Sequence, residues 1–190
     1  MERGKLIVVS GPSGVGKGTI LRSFYQSGEF PLVPSVSATT RSPRPGERDG
    51  VDYHFLKDED FQNRRANGEF IECFQVFQGG HWYGTLKKTV EDALDRGDWL
   101  VLEIDLKGMR EVLKSYPDAL TIFIVPPDVE TLKDRLRKRG TEDAAAVSSR
   151  LDRALEELAE SDFCKYKIVN DELEKAKEDF RRILSGSSGK

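Results

Sequence analysis

The feature of the sequence that most constrains the fold is a glycine-rich turn between a short apolar run and a helical stretch. Residues 5–10 (KLIVVS) predict a buried strand, because Ile and Val stand next to each other instead of alternating with polar residues. Residues 17–26 predict the helix. The turn follows the pattern G-x-x-x-x-G-K, and the segment comprises Gly11, Pro12, Ser13, Gly14, Val15, Gly16, Lys17, Gly18 and Thr19.

This turn has the context of a phosphate-binding loop, in which backbone N–H groups converge on phosphate oxygens at a positive helix N-terminus. Lys17 would add a point charge near the transferred phosphate. The general pattern has Ser or Thr directly after the lysine, whereas here Gly18 holds that place and Thr19 follows. Thr19 is therefore the candidate ligand of Mg²⁺, either directly or through water. Alone, the loop indicates a nucleoside triphosphate and says nothing of an acceptor.

Short strands alternate with helices along much of the chain. Further strands are predicted at residues 99–104, 120–125 and 166–169, and helices at residues 106–115, 128–139, 144–160 and 173–184. Pro126 and Pro127 end one strand, and Asp128 is placed to cap the helix after it. Strands separated by helices favour a parallel sheet, so the predicted fold class is α/β with helices on both faces of the sheet.

Residues 35–85 break this rhythm. They contain strand patterns at 35–38, 53–56 and 70–77 and one helical pattern at 58–67, which predicts a small mixed α/β lobe inserted into the core. The expected organisation is a single domain. Its core comprises residues 1–34, 86–127 and 160–184, its lobe residues 35–85, and its helical lid about residues 128–159. Residues 185–190 (SGSSGK) have the composition of a flexible linker.

Composition and charge exclude several classes of protein. The formal net charge is −3 over 190 residues, which argues against a general nucleic-acid or membrane binder because polyanions are bound by basic surfaces. The apolar run at residues 6–9 is too short for a signal peptide or a membrane span. Cys73 and Cys164 do not form a CxxC pair, so neither a disulfide framework nor a zinc site is indicated. We expect a cytoplasmic protein without an obligate protein partner.

The lobe carries two arginines in a loop stiffened by proline. Arg41 and Arg44 are three residues apart, and Pro43 and Pro45 prevent a helix there. Held in a loop, two guanidinium groups can converge on one phosphate, to which they present planar sets of donors. A solvated basic loop is the alternative interpretation.

A family resemblance favours the first interpretation. The motif S-x-T-T-R-x-P-R-x-G-E at residues 37–47 is followed by G-x-D-Y-x-F, F-I-E and Y-G-T, and together they resemble the GMP-binding lobe of guanylate kinases. The resemblance implies ATP and GMP as small-molecule substrates, Mg²⁺ with the ATP, and transfer of the γ-phosphate to GMP. On the GMP phosphate it implies Arg41, Arg44, Tyr53 and Tyr83. Around the guanine it implies Ser37, Glu72, Thr85 and Asp105.

Glu72 is also a candidate on chemical grounds. A carboxylate accepts hydrogen bonds from two neighbouring donors, and guanine presents such a pair at N1–H and the 2-amino group. Adenine lacks the pair and would leave a partly buried carboxylate unsatisfied, at a cost of about 1–3 kcal/mol. The alternative is an acid at the surface of an edge strand.

Residues 73–82 depart from the family pattern. The segment is about two residues longer than usual, and Trp82 stands where the first of two tyrosines is common. A longer hairpin around residues 78–80 would absorb the insertion. The assignment of Tyr83 therefore depends on Gly84 and Thr85 after it.

Asp105 and a set of arginines complete the candidate residues. Asp105 follows the strand at residues 99–104, where an acid would face the ligand crevice of a parallel sheet. Guanine contact, Mg²⁺ binding through water and capping of the next helix all remain open for it. The family resemblance places Asn170 near the adenine of ATP. The lid arginines that it implies over the triphosphate are Arg135, Arg139 and Arg150.

The implied reaction is an in-line transfer that needs no general base, because the acceptor phosphate is already anionic at neutral pH, with a second pKa of about 6. His54 and His81 therefore have no expected catalytic role. Two alternatives remain: a guanylate-kinase-like protein-interaction module, and a P-loop kinase with another acceptor. Lys17, the glycines and the lid arginines argue against the module, and Glu72 with Ser37 argues against another acceptor.

Overall fold

A computed structural model of the chain describes residues 3–76, 80–138 and 144–186. Within them the strands are β1 (Lys5–Ser10), β2 (Leu32–Pro34), β3 (Ala38–Thr39), β4 (His54–Phe55), β5 (Phe70–Val76), β6 (His81–Leu86), β7 (Trp99–Glu103), β8 (Leu120–Val125) and β9 (Tyr166–Val169). The helices are α1 (Lys17–Ser27), α2 (Asp58–Ala66), α3 (Lys87–Asp95), α4 (Leu106–Ser115), α5 (Val129–Lys138), α6 (Ala144–Ala159) and α7 (Leu173–Leu184). A short 3-10 helix spans Ser161–Phe163. None of the described helices is long and apolar enough to cross a lipid bilayer.

The larger of the two sheets has the strand order β2-β7-β1-β8-β9. Strand β2 pairs with β7 in parallel, and β8 pairs with β9 in parallel. Most neighbours in this order are not consecutive along the chain, as expected where helices form the crossovers between parallel strands. The predicted α/β class with a parallel central sheet is confirmed.

The chain divides into two compact units. The first unit comprises residues 1–7, 31–102 and 107–119, and the second comprises residues 8–30, 103–106 and 120–190. The first unit contains the smaller sheet, with the strand order β4-β3-β6-β5. Strand β3 pairs with β4 in parallel, whereas β6 is antiparallel to both β3 and β5. The mixed strand pattern predicted for this part of the chain is therefore confirmed.

The first unit has a small aromatic core between its sheet and α2. Ala38, Phe61 and Phe70 are buried there, and the rings of Phe61 and Phe70 stack with their centroids 4.4 Å apart. Gly84 lies in β6, where a Cβ atom would come within 2.7 Å of the Cβ of Cys73. The close packing of β5 against β6 thus depends on glycine at this position.

Two pairs of helices pack together in the second unit. The buried side chains of Leu132 and Leu136 of α5 pack against Ala154 of α6. The ring of Phe24 in α1 lies 5.0 Å from the ring of Phe180 in α7. The contact between Phe24 and Phe180 holds α1 against α7, and α1 begins at the lysine of the glycine-rich loop.

The sequence patterns locate β1, β8, β9, α4 and α7 with the same end residues as the structure. The helix expected at residues 128–139 is α5, with Asp128 accepting a hydrogen bond from the N–H of Thr131 at its start, and Arg139 lies outside the described residues. The strands expected at residues 35–38 and 53–56 are shorter, so that Ser37 precedes β3. The sequence patterns did not predict strand β2 or helix α3. Strand β2 has only three residues and ends in proline, which strands seldom contain.

Candidate active site

The glycine-rich loop of the second unit is built by its backbone conformation. Gly11, Gly14 and Gly16 have φ angles of 145°, 83° and 99°, a region that favours glycine. A Cβ atom at Gly11 would overlap the carbonyl oxygen of Ile124, and one at Gly16 would overlap the side-chain amide of Asn170. Gly11 and Gly16 are therefore required both for their conformation and for the space beside them.

The loop leads directly into α1, whose first residue is Lys17. Gly16 is the N-cap and has no side chain to bond the first N–H groups of the helix, which leaves this positive end available to an anion. The ammonium group of Lys17 donates to the carbonyl oxygens of Gly11 and Pro12, the latter at 3.1 Å. Lys17 is thus folded over the loop. A Cβ atom at Gly18 would meet nothing within 4 Å, so that sterics do not require glycine there.

A cavity of about 370 Å³ lies over this loop. Its lining includes Lys17 and Thr19 from the loop, and Asp105 and Glu157 from other parts of the second unit. The cavity therefore combines backbone N–H groups and an ammonium group, which suit phosphate, with hydroxyl and carboxylate oxygens, which suit Mg²⁺.

Two acids of this cavity share one arginine. Arg153 of α6 donates to Asp105 Oδ2 at 3.2 Å and to Glu157 Oε1 at 3.1 Å. Burial raises the pKa of Glu157 above its ordinary value, although Arg153 and Lys17 act in the opposite direction. The sequence analysis did not identify Glu157. Its i,i+4 spacing from Arg153 is a signal for the ion pair, but not for a place in the cavity.

Asn170 follows β9, is buried, and is bonded to the glycine-rich loop. Its side-chain Nδ2 donates to the carbonyl oxygen of Val15 at 2.7 Å, and its backbone N–H donates to the carbonyl oxygen of Val125 at 2.8 Å. Its own carbonyl oxygen accepts a hydrogen bond from Arg135 Nη1 at 2.9 Å. Asn170 and Arg135, both expected at the ATP, are thus brought together. The contact of Asn170 with adenine stays a prediction.

The other two expected lid arginines are Arg150 and Arg139. Arg150 lies on α6 with a half-buried side chain, and Arg139 lies outside the described residues. Arg150 and Arg153 are three residues apart, so they are neighbours on the surface of the helix. Helix α6 therefore carries Arg150 together with the ion pair of Arg153 and Glu157.

In the first unit, Arg41 is the centre of a polar and aromatic cluster. Its Nη1 and Nη2 donate to the two carboxylate oxygens of Glu47, each at 2.9 Å, and its Nε donates to the hydroxyl of Tyr83 at 3.3 Å. The guanidinium carbon lies 5.4 Å from the ring centroid of Tyr53. The rings of Tyr53 and Tyr83 meet edge to face at 5.9 Å. Three of the four residues expected on the acceptor phosphate therefore lie together.

Arg44 is the fourth of these residues, and it joins the cluster through its backbone. Its N–H donates to Glu47 Oε2 at 2.7 Å, while its side chain is exposed. The hydrogen bond from Arg41 holds the pKa of Glu47 below its ordinary value and raises that of Arg41. Burial raises the pKa of Tyr53. Glu47 thus bonds to both arginines, although the sequence analysis gave it no role.

Glu72 and Thr85 form a buried polar pair in the same unit. Glu72 on β5 lies opposite Thr85 on β6, and the two residues are 8% and 0% exposed. The hydroxyl of Thr85 donates to Glu72 Oε1 at 2.6 Å. Strand β5 is an edge strand, but the alternative interpretation of Glu72 as a surface acid is wrong, because its side chain is buried.

The hairpin between β5 and β6 supports the placement of Tyr83. The strands pair in antiparallel register as far as Val76 and His81, and residues 77–79 of the connection, including Gln78 and Gly79, lie outside the described residues. Trp82 packs with its ring centroid 6.0 Å from that of Phe61. The guanidinium group of Arg65 lies 4.3 Å from the Trp82 ring. Trp82 is therefore a packing residue, while Tyr83 contacts Arg41.

The last two residues expected around guanine lie in different units. Ser37 is half-buried in the first unit, and its carbonyl oxygen accepts from the N–H of His54 at 2.9 Å. Asp105 belongs to the second unit, where it bonds to Arg153. His81 is exposed and His54 is half-buried.

Known proteins resemble this chain along almost its whole length. A family model described as guanylate kinase matches residues 3–187. The guanylate kinase of Carboxydothermus hydrogenoformans is 46% identical over 185 residues, which cover 97% of this chain and 89% of the relative. That of Rhodopirellula baltica is 44% identical over 182 residues, or 95% of this chain and 87% of the relative. The crystal structure of guanylate kinase from Anaplasma phagocytophilum aligns with a TM-score of 0.73 at 33% identity, over 100% of this chain and 89% of that one.

Proposed function

This chain belongs to the guanylate kinase family and is an enzyme of that family, and we propose that it transfers the γ-phosphate of ATP to GMP, giving ADP and GDP. The buried carboxylate of Glu72 carries the choice of acceptor. A carboxylate has about four acceptor sites, and the hydroxyl of Thr85 occupies one of them. Guanine brings two adjacent donors, N1–H and the 2-amino group, to this carboxylate, whereas adenine cannot supply that pair.

The rest of the guanine site consists of three residues that the family resemblance implies. Thr85 orients Glu72 by donating its hydroxyl proton, and its hydroxyl oxygen would accept a hydrogen bond from the base. Ser37 and Asp105 complete the proposed set. Because a buried polar site rejects a base that cannot complete its hydrogen bonds, we expect GMP to be favoured strongly over AMP.

The acceptor phosphate binds to the cluster around Arg41 in this proposal. Arg41 and Arg44 supply guanidinium donors, and the hydroxyls of Tyr53 and Tyr83 supply neutral ones. The support for this assignment is that Arg41, Tyr53 and Tyr83 touch one another while the exposed side chain of Arg44 extends from the same loop.

The donor triphosphate binds to the glycine-rich loop. Backbone N–H groups of the glycine-rich loop and the N-terminal end of α1 surround the β- and γ-phosphates, and Lys17 adds its charge there. The lid arginines Arg135, Arg139 and Arg150 close over the transferred group. Asn170 contributes to the ATP site through its bond to Val15 and by its expected place near adenine.

The residues of the loop cavity fit Mg²⁺. In nucleotide sites this ion keeps several waters and takes one or two side-chain oxygens together with phosphate oxygens. Thr19 supplies such an oxygen in the cavity lining and would hold the ion directly or through water. Among the residues that the structure describes, no group of three His, Cys, Asp or Glu forms a site without the nucleotide. When bound, the ion neutralises part of the phosphate charge.

The residues of the chain act by positioning and charge in the proposed in-line transfer. The phosphate of GMP is the nucleophile and is anionic at neutral pH, so that no side chain has to remove a proton. Arg41 and Arg44 hold this nucleophile, while Lys17 and the lid arginines stabilise the charge on the transferred group. The expected cytoplasmic location remains a prediction.

A coupled assay of ADP release tests the proposal, with MgATP and GMP, AMP, CMP or UMP offered separately. We expect turnover with GMP alone. Lys17→Ala should abolish it, and Glu72→Ala should lower kcat/KM for GMP by about 100-fold or more, because the base loses its two-point acceptor. The matched control is Glu69→Ala, which removes a partly exposed acid paired with Arg64 and should leave turnover unchanged.

The possible results separate the alternatives. If the folded protein shows no turnover with any acceptor, a protein-interaction module is favoured and the proposed activity is wrong. Turnover with another nucleotide would keep the phosphate loop and overturn the role of Glu72. Thermal denaturation of each variant establishes that it is folded.

A further inference from the structure

Glu47 is the last residue of the loop formed by residues 41–47 in the first unit, which we call the arginine loop. The proposed reaction assigns no role to Glu47. Its two carboxylate oxygens accept hydrogen bonds from Nη1 and Nη2 of Arg41, both at 2.9 Å, in the two-point geometry of a strong guanidinium–carboxylate pair. Oε2 also accepts from the backbone N–H of Arg44 at 2.7 Å. One carboxylate therefore bonds to both arginines that are expected on the acceptor phosphate.

The surroundings of Arg41 hold its guanidinium group in a single orientation. The side chains of Arg41 and Glu47 are 13% and 21% exposed. Arg41 Nη1 also donates to the carbonyl oxygen of Ser42 at 2.8 Å, and Nε donates to Tyr83. A guanidinium group has five N–H donors, and four of them bond to these three residues of the described chain. The fifth, on Nη2, remains for an anion.

Arg44 complements this arrangement. Its side chain is exposed and has no hydrogen bond or ion pair with the rest of the described chain, so that its donors are available to a phosphate. What Glu47 fixes is the backbone from which this side chain extends. The carboxylate at the end of the arginine loop thus bonds both to the side chain of Arg41 at its start and to the backbone of Arg44 in its middle.

Glu47 has two opposing effects on an incoming phosphate. Its negative charge lowers the positive potential around Arg41, which weakens the attraction. Its hydrogen bonds fix the donors in advance, which strengthens binding because the phosphate does not have to order them. We expect positioning to be the larger effect, because loss of Glu47 would release both the guanidinium group of Arg41 and the backbone at Arg44, whereas its single negative charge offsets only part of the charge of the two arginines.

We propose that Glu47 is a positioning residue for the acceptor phosphate, holding Arg41 through a two-point hydrogen bond and Arg44 through its backbone before GMP binds. The inference rests on the proposed function, since it takes the phosphate of GMP as the group that these arginines bind. The inference predicts different effects on the two parts of GMP. Loss of Glu47 weakens binding of the phosphate and leaves binding of guanine unchanged.

Isothermal titration calorimetry with GMP and with guanosine tests this inference on the wild-type chain, Glu47→Gln and Glu47→Asp. Glu47→Gln is expected to raise the Kd for GMP about 10- to 100-fold, because its amide NH₂ group opposes one of the donors that the carboxylate accepted. The Kd for guanosine should not change. Glu47→Asp keeps the charge on a shorter side chain and should recover part of the loss. The control Glu59→Gln removes the same charge from an exposed position of α2 and should change neither Kd.

Steady-state kinetics give a second readout. In Glu47→Gln, KM for GMP should rise while KM for ATP stays unchanged, whereas a general loss of structure would alter both. Unchanged or tighter GMP binding in Glu47→Gln would overturn the inference and show that the charge effect dominates. If thermal denaturation shows that this variant does not fold, Glu47→Ala decides instead, because it removes both acceptor oxygens without adding a donor, and a wild-type Kd for GMP in it overturns the inference. Failure of the wild-type chain to bind GMP would overturn the proposed function, and the inference with it.

Discussion

The glycine-rich loop of the second unit and the arginine loop of the first are both expected to bind phosphate, but they present their donors in different ways. The former uses backbone N–H groups, held by positive φ angles at Gly11, Gly14 and Gly16. The latter uses side chains, held by the ion pair between Arg41 and Glu47. A backbone site depends on the absence of side-chain atoms, whereas a side-chain site depends on their presence.

The carboxylates beside the two loops also differ, because the fold shifts their pKa values in opposite directions. Arg41 binds both oxygens of Glu47, and this hydrogen bonding holds the pKa of Glu47 below its ordinary value. Glu157 in the loop cavity has Arg153 as a partner, yet burial raises the pKa of Glu157. Glu47 is therefore stabilised in its charged form, while the folded chain disfavours the charged form of Glu157.

The largest effect is expected where the backbone site cannot adapt. Gly16→Ala should lower kcat/KM for ATP by about 100-fold or more. Alanine is strained at the positive φ angle of residue 16, and its Cβ atom would overlap the side-chain amide of Asn170. GMP binding, measured by calorimetry, should be unchanged. Gly18→Ala is the matched substitution in the same loop, and its Cβ atom would meet nothing within 4 Å. Equal losses in the two variants would show that loop conformation does not govern ATP binding.

A smaller effect is expected in the side-chain site, where charge and geometry can be separated. Arg41→Lys keeps the positive charge but cannot bond both oxygens of Glu47, so KM for GMP should rise about tenfold at unchanged KM for ATP. Arg48→Lys, at an exposed position of the same unit, should leave both values unchanged. Wild-type KM for GMP in Arg41→Lys would mean that charge alone governs the acceptor site.

Sequence patterns predicted the backbone site more completely than the side-chain site. The strand, the glycines and the helix of the former are consecutive, so that periodicity and composition identify them together. In the latter, Arg41 and Tyr83 are 42 positions apart and meet through the pairing of β3 with β6. Spacing alone does not contain that pairing, and only the family resemblance placed these residues at one site.

The residues that the sequence analysis missed are those that hold others in place. Glu47 is only six positions from Arg41, but an irregular loop has no period from which their contact could be predicted. Asn170 was predicted near adenine, but its bond to Val15, which spans 155 positions of the chain, was not predicted. Helix α3 is a different case, since Val90, Ala93 and Leu94 have the helical spacing that would have identified it.

The smallest effect is expected at Glu157, and its sign is informative. Because the pKa of Glu157 in the folded chain is raised above the ordinary value of 4.5, the stability associated with this group is greatest below that value and is lost as pH rises through the folded pKa. Glu157→Gln removes this loss, so its free energy of unfolding should exceed that of the wild type by up to about 1 kcal/mol at pH 7 and match it near pH 4. Urea denaturation between pH 4 and 7 measures the difference. A variant less stable than the wild type at pH 7 would show that the ion pair with Arg153 outweighs burial, and that the folded chain favours the charged form of Glu157 as it does that of Glu47.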